Sequence, residues 1–269
     1  MSSNFLFSLS ALIALLPAAA QGFFGDAGKD ARRFWLFLSV AMAGTVAWLV
    51  ARFSGGWHTG FAESLWLTIG CTLLLYAGVA YAAPAARGLS VLLQPCLAAL
   101  GLLGLLWEGA PERALAAGLG SWTVLHIALS ILAYGFATLA AVAASGVILR
   151  ERALKAKGGA KAPIAALPSI ADGERLQTGL LTAAAITLAA GIVSGMATEF
   201  VEFGSWLPLN HKVVFSLGAC VLVLGLLLLH IRMGLPGRRA ARLLLAVYLL
   251  LSLAYPGVKF VTDVLIAAS

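Results

Sequence analysis

The chain reads as long, unbroken apolar runs separated by short stretches in which charge, glycine and proline collect. Leu73-Leu74-Leu75 and Leu226-Leu227-Leu228-Leu229 are typical of the interiors of these runs. A membrane β-strand would alternate polar and apolar at every second residue. A helix satisfies its own backbone hydrogen bonds in lipid, and continuous apolar runs suit it. The pattern therefore predicts an all-α, polytopic membrane helix bundle. About 20 apolar residues cross the hydrocarbon core, which predicts eight transmembrane helices at 4–22, 34–53, 64–83, 89–107, 119–149, 177–197, 212–232 and 239–262. Pro84, Pro111, Pro163, Pro168 and Pro208 punctuate loops, whereas Pro95 and Pro256 fall inside spans and are expected to kink them. The fifth run has some 30 residues, a rise of about 45 Å, so its end is expected to project from the bilayer.

Composition agrees with the pattern. Hydrophobic residues make up 61% of the 269 and charged residues only 11%, against about 25% charged in a soluble domain. Soluble enzyme classes are excluded unless the chemistry sits in the membrane. The net charge of +7 does not call for nucleic acid, because the basic residues fall in short loops and read as topology signals. With the N-terminus outside, Lys29, Arg32, Arg33, Arg87, Arg150, Arg152, Lys155, Lys157, Lys161, Arg175, Arg232, Arg238, Arg239 and Arg242 are cytoplasmic. Arg52, Arg113, Lys212 and Lys259 are then external, a division of 14 to 4 that the inverted orientation would violate. Both termini are predicted external. Ala18-Ala19-Ala20-Gln21 resembles a loose signal-peptide cleavage site, but the basic residues follow the first run rather than precede it, which favours an uncleaved helix. The segment 150–176 reads as a basic, flexible cytoplasmic linker between a five-helix part, 1–149, and a three-helix part, 177–269. Cys71, Cys96 and Cys220 lie inside apolar runs and form no CxxC pair, so neither a disulfide framework nor a covalent haem-attachment motif is expected.

The histidines carry the candidate chemistry. His126 lies about two turns into the fifth span from its external end, and His211 opens the seventh on the same side. His58 sits in the external loop after the second span, and His230 lies at the opposite end of the seventh, about 28 Å from His211. Ionisable residues within spans usually face a partner or a cavity. Two imidazoles from facing helices can hold one haem iron, and Trp57, Trp66, Trp107, Trp122 and Trp206 would supply an aromatic surface near it. The plainer alternatives are also open. An intramembrane histidine is often only hydrogen-bonded to a neighbour (Ser130 lies four residues on), and His211 can be a cap or interface anchor. The tryptophans match an ordinary aromatic belt. Glu63, Glu108, Glu112, Glu199 and Glu202 read first as solvated external charges, with steering of a cation or a proton path as the alternatives. Gly191 and Gly195 make a small-xxx-small face suited to close helix packing. Arg238, Arg239 and Arg242 read as a topology signal touching anionic lipid.

The segment Leu125-His126-Ile127-Ala128-Leu129-Ser130-Ile131-Leu132-Ala133-Tyr134 resembles the histidine helix of the cytochrome c assembly (CcsA/CcmC-type) haem-handling membrane proteins. Gly191-Ile192-Val193-Ser194-Gly195, Asn210-His211-Lys212 and Leu229-His230-Ile231-Arg232 follow in the order that family shows. Gly234-Leu235-Pro236-Gly237-Arg238-Arg239 looks like its Gly-Trp-Arg-Gly-Arg loop without the tryptophan. The resemblance covers roughly 120–262, and length and helix layout fit the short HemX/YpjD-like branch. It implies non-covalent haem b at the external side of a bacterial inner membrane, with His126 and His211 as its axial ligands. It also implies a part in cytochrome c biogenesis or haem homeostasis, beside other maturation proteins. The Trp-rich loop with which full haem lyases present haem is absent: only Phe203-Gly204-Ser205-Trp206-Leu207-Pro208-Leu209-Asn210 stands between the sixth and seventh spans. The late external histidine of larger members is missing as well. These departures favour a haem-binding accessory or transfer protein over an enzyme that attaches haem. A small-solute transporter and a ligand-free assembly partner are the alternatives; a transporter would be expected to show repeat symmetry, and none is evident.

Overall fold

The structure is a computed structural model that describes residues 3–21, 30–54, 58–109, 113–114, 120–156, 162–204, 211–233 and 237–252. It is an all-α bundle. The helices are α1 (Ser3–Ala20), α2 (Ala31–Phe53), α3 (Phe61–Ala82), α4 (Ser90–Leu106), α5 (Ser121–Lys155), α6 (Ala162–Ala165), α7 (Ile170–Phe203), α8 (His211–Met233) and α9 (Gly237–Ser252). The only sheet among the described residues is a two-residue antiparallel ladder. In it β1 (His58–Thr59) pairs with β2 (Arg113–Ala114), His58 opposite Ala114, tying the loop before α3 to the loop before α5. Five segments among the described residues are long and apolar enough to cross a membrane: α2, α3, the 3-10 turn Pro84–Leu89 continuing into α4, α5, and α7 to Val201. The chain is thus a polytopic membrane protein, and Leu74, Ile186, Val193 and Val221 turn exposed apolar faces outward as lipid requires.

Helix ends follow local chemistry. Asp30 caps α2 by accepting from the Arg32 and Arg33 amides at 3.0 and 3.3 Å. Ser169 caps α7: its hydroxyl accepts from the Asp172 amide at 3.1 Å and donates to the Asp172 carboxylate at 2.7 Å. At the other end Gly204 stops α7 in the left-handed conformation, φ 68°, which favours glycine. These caps explain why α7 runs 34 residues and overruns the apolar stretch 177–197 at both ends. Hydropathy marks the part in lipid, and capping marks the helix. Of the segment read as a linker, Arg150–Lys155 continues α5 and Ile170 onward belongs to α7, while 157–161 lie outside the described residues. The Arg150 guanidinium donates to the Ile164 carbonyl at 2.9 Å, and Gly88 packs against the backbone of Ala166, so the part around α6 is docked on the bundle.

Two halves of the core meet at α3 and α5. In the first, α1 packs between α2 and α4, and α3 lies against both α2 and α4. Trp48 donates its indole N–H to Ser8 at 2.7 Å and stacks on Trp66, whose ring centroid is 5.3 Å away. Trp66 is fully buried, with Gly101 and Gly104 of α4 making room for it. In the second half the most extensive interface of the molecule joins α5 to α7, with α9 on a further side of α5. Lipid offers no hydrophobic drive to helix pairing, so close van der Waals approach through small residues has to supply it. Ala133, Ala137, Ala140, Ala141, Ala143 and Ala144 of α5 are buried, as are Ala184 and Ala185 of α7.

Candidate functional site

The antiparallel register of α5 and α7 builds the site. Val147 lies against Gly173 at one end of the pair, Leu129 and Ser130 against Gly191, and His126 against Gly195 at the other. The small-xxx-small face expected at Gly191 and Gly195 is therefore the surface on which α5 rests. A Cβ at Gly191 would stand 3.8 Å from the Leu129 Cβ, ordinary contact. A Cβ at Gly195 would stand 2.9 Å from Cε1 and 3.0 Å from Nδ1 of His126, so any larger residue there would require the imidazole or the helices to shift.

His126 lies in the second turn of α5 and is half-buried. Its Nδ1 is 2.8 Å from the Gly191 carbonyl oxygen. A carbonyl can only accept, so Nδ1 carries the proton and donates it. In the neutral ring this leaves Nε2 with the free electron pair. Ser194, buried beside it, donates its own hydroxyl to the same carbonyl at 2.8 Å and lies 3.4 Å from Nδ1. Ser130 bonds the His126 backbone carbonyl at 2.8 Å rather than the ring. Among the described residues none hydrogen-bonds Nε2.

The other candidates divide. His211 is the first residue of α8, which packs on α7, but its side chain lies outside the described residues. The same is true of the His58 and His230 side chains and of Trp57, Glu112 and Trp206. Trp122, one turn before His126 on α5, is 47% exposed and faces outward on the His126 side. Trp66 is not part of that surface, since it is sealed in the first half-bundle. Glu63 is not a solvated charge either. It is 4% exposed, and its carboxylate accepts from Nε and an Nη of Arg52 at 2.9 and 2.7 Å. No group of three or more metal-ligating side chains occurs among the described residues.

A polar ladder on another side of α5 holds α9. The Thr138 hydroxyl donates to the Tyr134 carbonyl at 2.8 Å, which leaves the Tyr248 hydroxyl, 3.0 Å away, as the donor to Thr138. The Tyr134 hydroxyl lies 3.0 Å from the Ser252 hydroxyl. Tyr134, in the motif that begins at His126, thus has an anchoring role that the sequence pattern alone did not assign.

The model of the family described as cytochrome C assembly protein matches residues 34–266, which takes in most of α2, all of α3 and α4, and both His126 and His211. A protein of Azospirillum brasilense, described as an uncharacterized 28.8 kDa protein in the nifR3-like 5' region, is 43% identical over 272 residues, covering 99% of this chain and all of the relative. No solved structure matches.

Proposed function

The chain belongs to the cytochrome c assembly protein family, and from that premise we propose that it is a haem-binding membrane protein acting in haem handling or transfer for cytochrome c biogenesis. Within the family we assign it to the short HemX/YpjD-like branch. The observation that carries the haem reading is the His126 ring. Its Nδ1–H is engaged by the Gly191 carbonyl at 2.8 Å, the arrangement metal-bound histidines adopt, in which a second hydrogen bond fixes the tautomer and raises ligand basicity. Nε2 is left as the nitrogen able to bind iron. A half-buried imidazole at the edge of an apolar helix pair, with Trp122 one turn away, also suits a large flat apolar cofactor.

In this reading His211, at the start of α8, would supply a second imidazole to hold the haem. The haem is b-type and non-covalent, because no cysteine pair offers attachment. Bound haem would supply an iron centre for electron exchange, or would itself be the cargo. The chain's own residues orient His126 and hold the α7–α5 register. Direct attachment of haem to an apocytochrome is not part of the proposal, since the Trp-rich presenting loop is absent between α7 and α8. Eight spans, external termini, the five-helix and three-helix parts and residence in a bacterial inner membrane complete the proposal; the 14 to 4 division of basic residues supports the orientation.

Haem titration of detergent-purified apoprotein tests the assignment. Wild type should bind haem saturably with a low-spin signal in electron paramagnetic resonance. His126→Ala and His211→Ala should each convert that signal to high spin or lose the haem. Low-spin binding that survives both substitutions together contradicts the ligand pair, and no saturable binding by wild type contradicts the function.

A further inference from the structure

We propose that α7 carries a dedicated seat for the His126 imidazole, in which Gly195 supplies the space and the Gly191 carbonyl selects the Nδ1–H tautomer. The proposal rests on the haem reading above for its purpose, but its geometry stands on contacts between two helices. Gly191 and Gly195 are positioning residues here: neither is asked to touch a cofactor.

Two glycines one turn apart do different work. At Gly195 an added methyl would sit 2.9 Å from Cε1 and 3.0 Å from Nδ1 of the ring. An imidazole has only two side-chain torsions, so it relieves that overlap by swinging away, and the swing breaks the 2.8 Å bond to the Gly191 carbonyl. At Gly191 an added methyl would meet Leu129 at 3.8 Å and the Ser130 hydroxyl at 3.9 Å, which is ordinary packing. What Gly191 contributes is its carbonyl, which any residue would keep. The buried Ser194 hydroxyl donates to the same oxygen at 2.8 Å and so keeps it from wandering. The small-residue face therefore contains one position where the missing side chain makes room for the histidine, and one where the backbone carbonyl holds it and a small side chain would be tolerated.

The test compares wild type, Gly191→Ala and Gly195→Ala in detergent, with and without haem. The first readout is the nitrogen NMR of His126 in haem-free protein at alkaline pH, which distinguishes Nδ1–H from Nε2–H. The second is the spin state after haem addition. Wild type and Gly191→Ala should show the Nδ1–H tautomer and the same spin state. Gly195→Ala should lose the Nδ1–H signature and bind haem at least about tenfold more weakly, the scale on which loss of a ligand's supporting hydrogen bond is felt. A Gly195→Ala protein with wild-type tautomer and wild-type spin state overturns the seat and leaves the haem reading intact. A wild type that takes up no haem removes the haem reading, and the tautomer comparison still decides the seat. Should Gly195→Ala fail to accumulate, the wild-type tautomer decides by itself, with Nε2–H as the overturning result.

Discussion

Across the α5–α7 interface, His126 gives its Nδ1 proton to the backbone carbonyl of Gly191 at 2.8 Å. The bond needs the two helix axes close and in fixed register, and small side chains on both helices permit that. Packing and chemistry are thus one arrangement here, because the residues that let the helices touch also set which ring nitrogen is left with its electron pair.

The Arg52–Glu63 pair should be a principal stabiliser of the α2–α3 corner. The two side chains are 14% and 5% exposed, and the contacts are 2.7 and 2.9 Å. Removing Glu63 takes away the buried carboxylate that two guanidinium nitrogens of Arg52 bond, at a cost of about 3 kcal/mol. Glu63→Ala should therefore lower thermal stability in detergent sharply, whereas Arg52→Met with Glu63→Leu should recover most of it. Equal melting of Glu63→Ala and wild type would refute the pair's importance.

Gly88 and Gly78 offer a matched comparison. A Cβ at Gly88 would run into the Ala166 carbonyl and reach the Pro168 ring at 3.1 Å, whereas Gly78 has nothing within 4 Å. Gly88→Ala should cost about 1–3 kcal/mol by prying the α6 segment from the 3-10 turn. Gly78→Ala should be neutral or stabilising by up to about 1 kcal/mol, as alanine is the better helix former. Melting curves that rank the two variants the other way would show that the α6 segment is not docked as described.

Much of this fold is legible in the sequence. Apolar run length located the helices, because lipid thickness sets their length and backbone hydrogen bonding sets their kind. It missed the extra turns of α7 because Ser169 and Asp172 act at a polar cap that hydropathy does not register. Glu63 read as a solvated charge because its partner Arg52 lies on the preceding helix, across a loop, and only helix packing brings them together. Trp66 read as part of the external aromatic surface for the same reason: its burial depends on Gly101 and Gly104 of α4 and on Trp48 of α2. His126 and the Gly191–Gly195 face were each visible in the sequence. Their contact was not, because nothing local in either segment encodes the register between α5 and α7.

Tyr248→Phe should have a small effect. It removes the hydroxyl that donates to Thr138, while the Thr138 bond to the Tyr134 carbonyl remains. Interhelical hydrogen bonds of this kind are worth about 0.6 kcal/mol in membranes. A melting shift several times larger would mean that α9 depends on this ladder far more than its packing implies.

Orientation can be read by labelling. In a background with Cys71, Cys96 and Cys220 replaced by alanine, single cysteines at Ser2, Ala160 and Ala268 should report the two sides of the membrane. A membrane-impermeant maleimide added to spheroplasts should label positions 2 and 268 and spare 160. The reverse pattern would overturn the external placement of both termini.

The optical absorption of protein purified from haem-replete cells bears most directly on function. A Soret band with the split visible bands of reduced low-spin haem, near one haem per chain, is the expected result for wild type, with the bands lost in the His126→Ala/His211→Ala double variant. A well-folded wild type without any Soret absorption, or a double variant that keeps the full low-spin spectrum, would contradict iron ligation by this histidine pair.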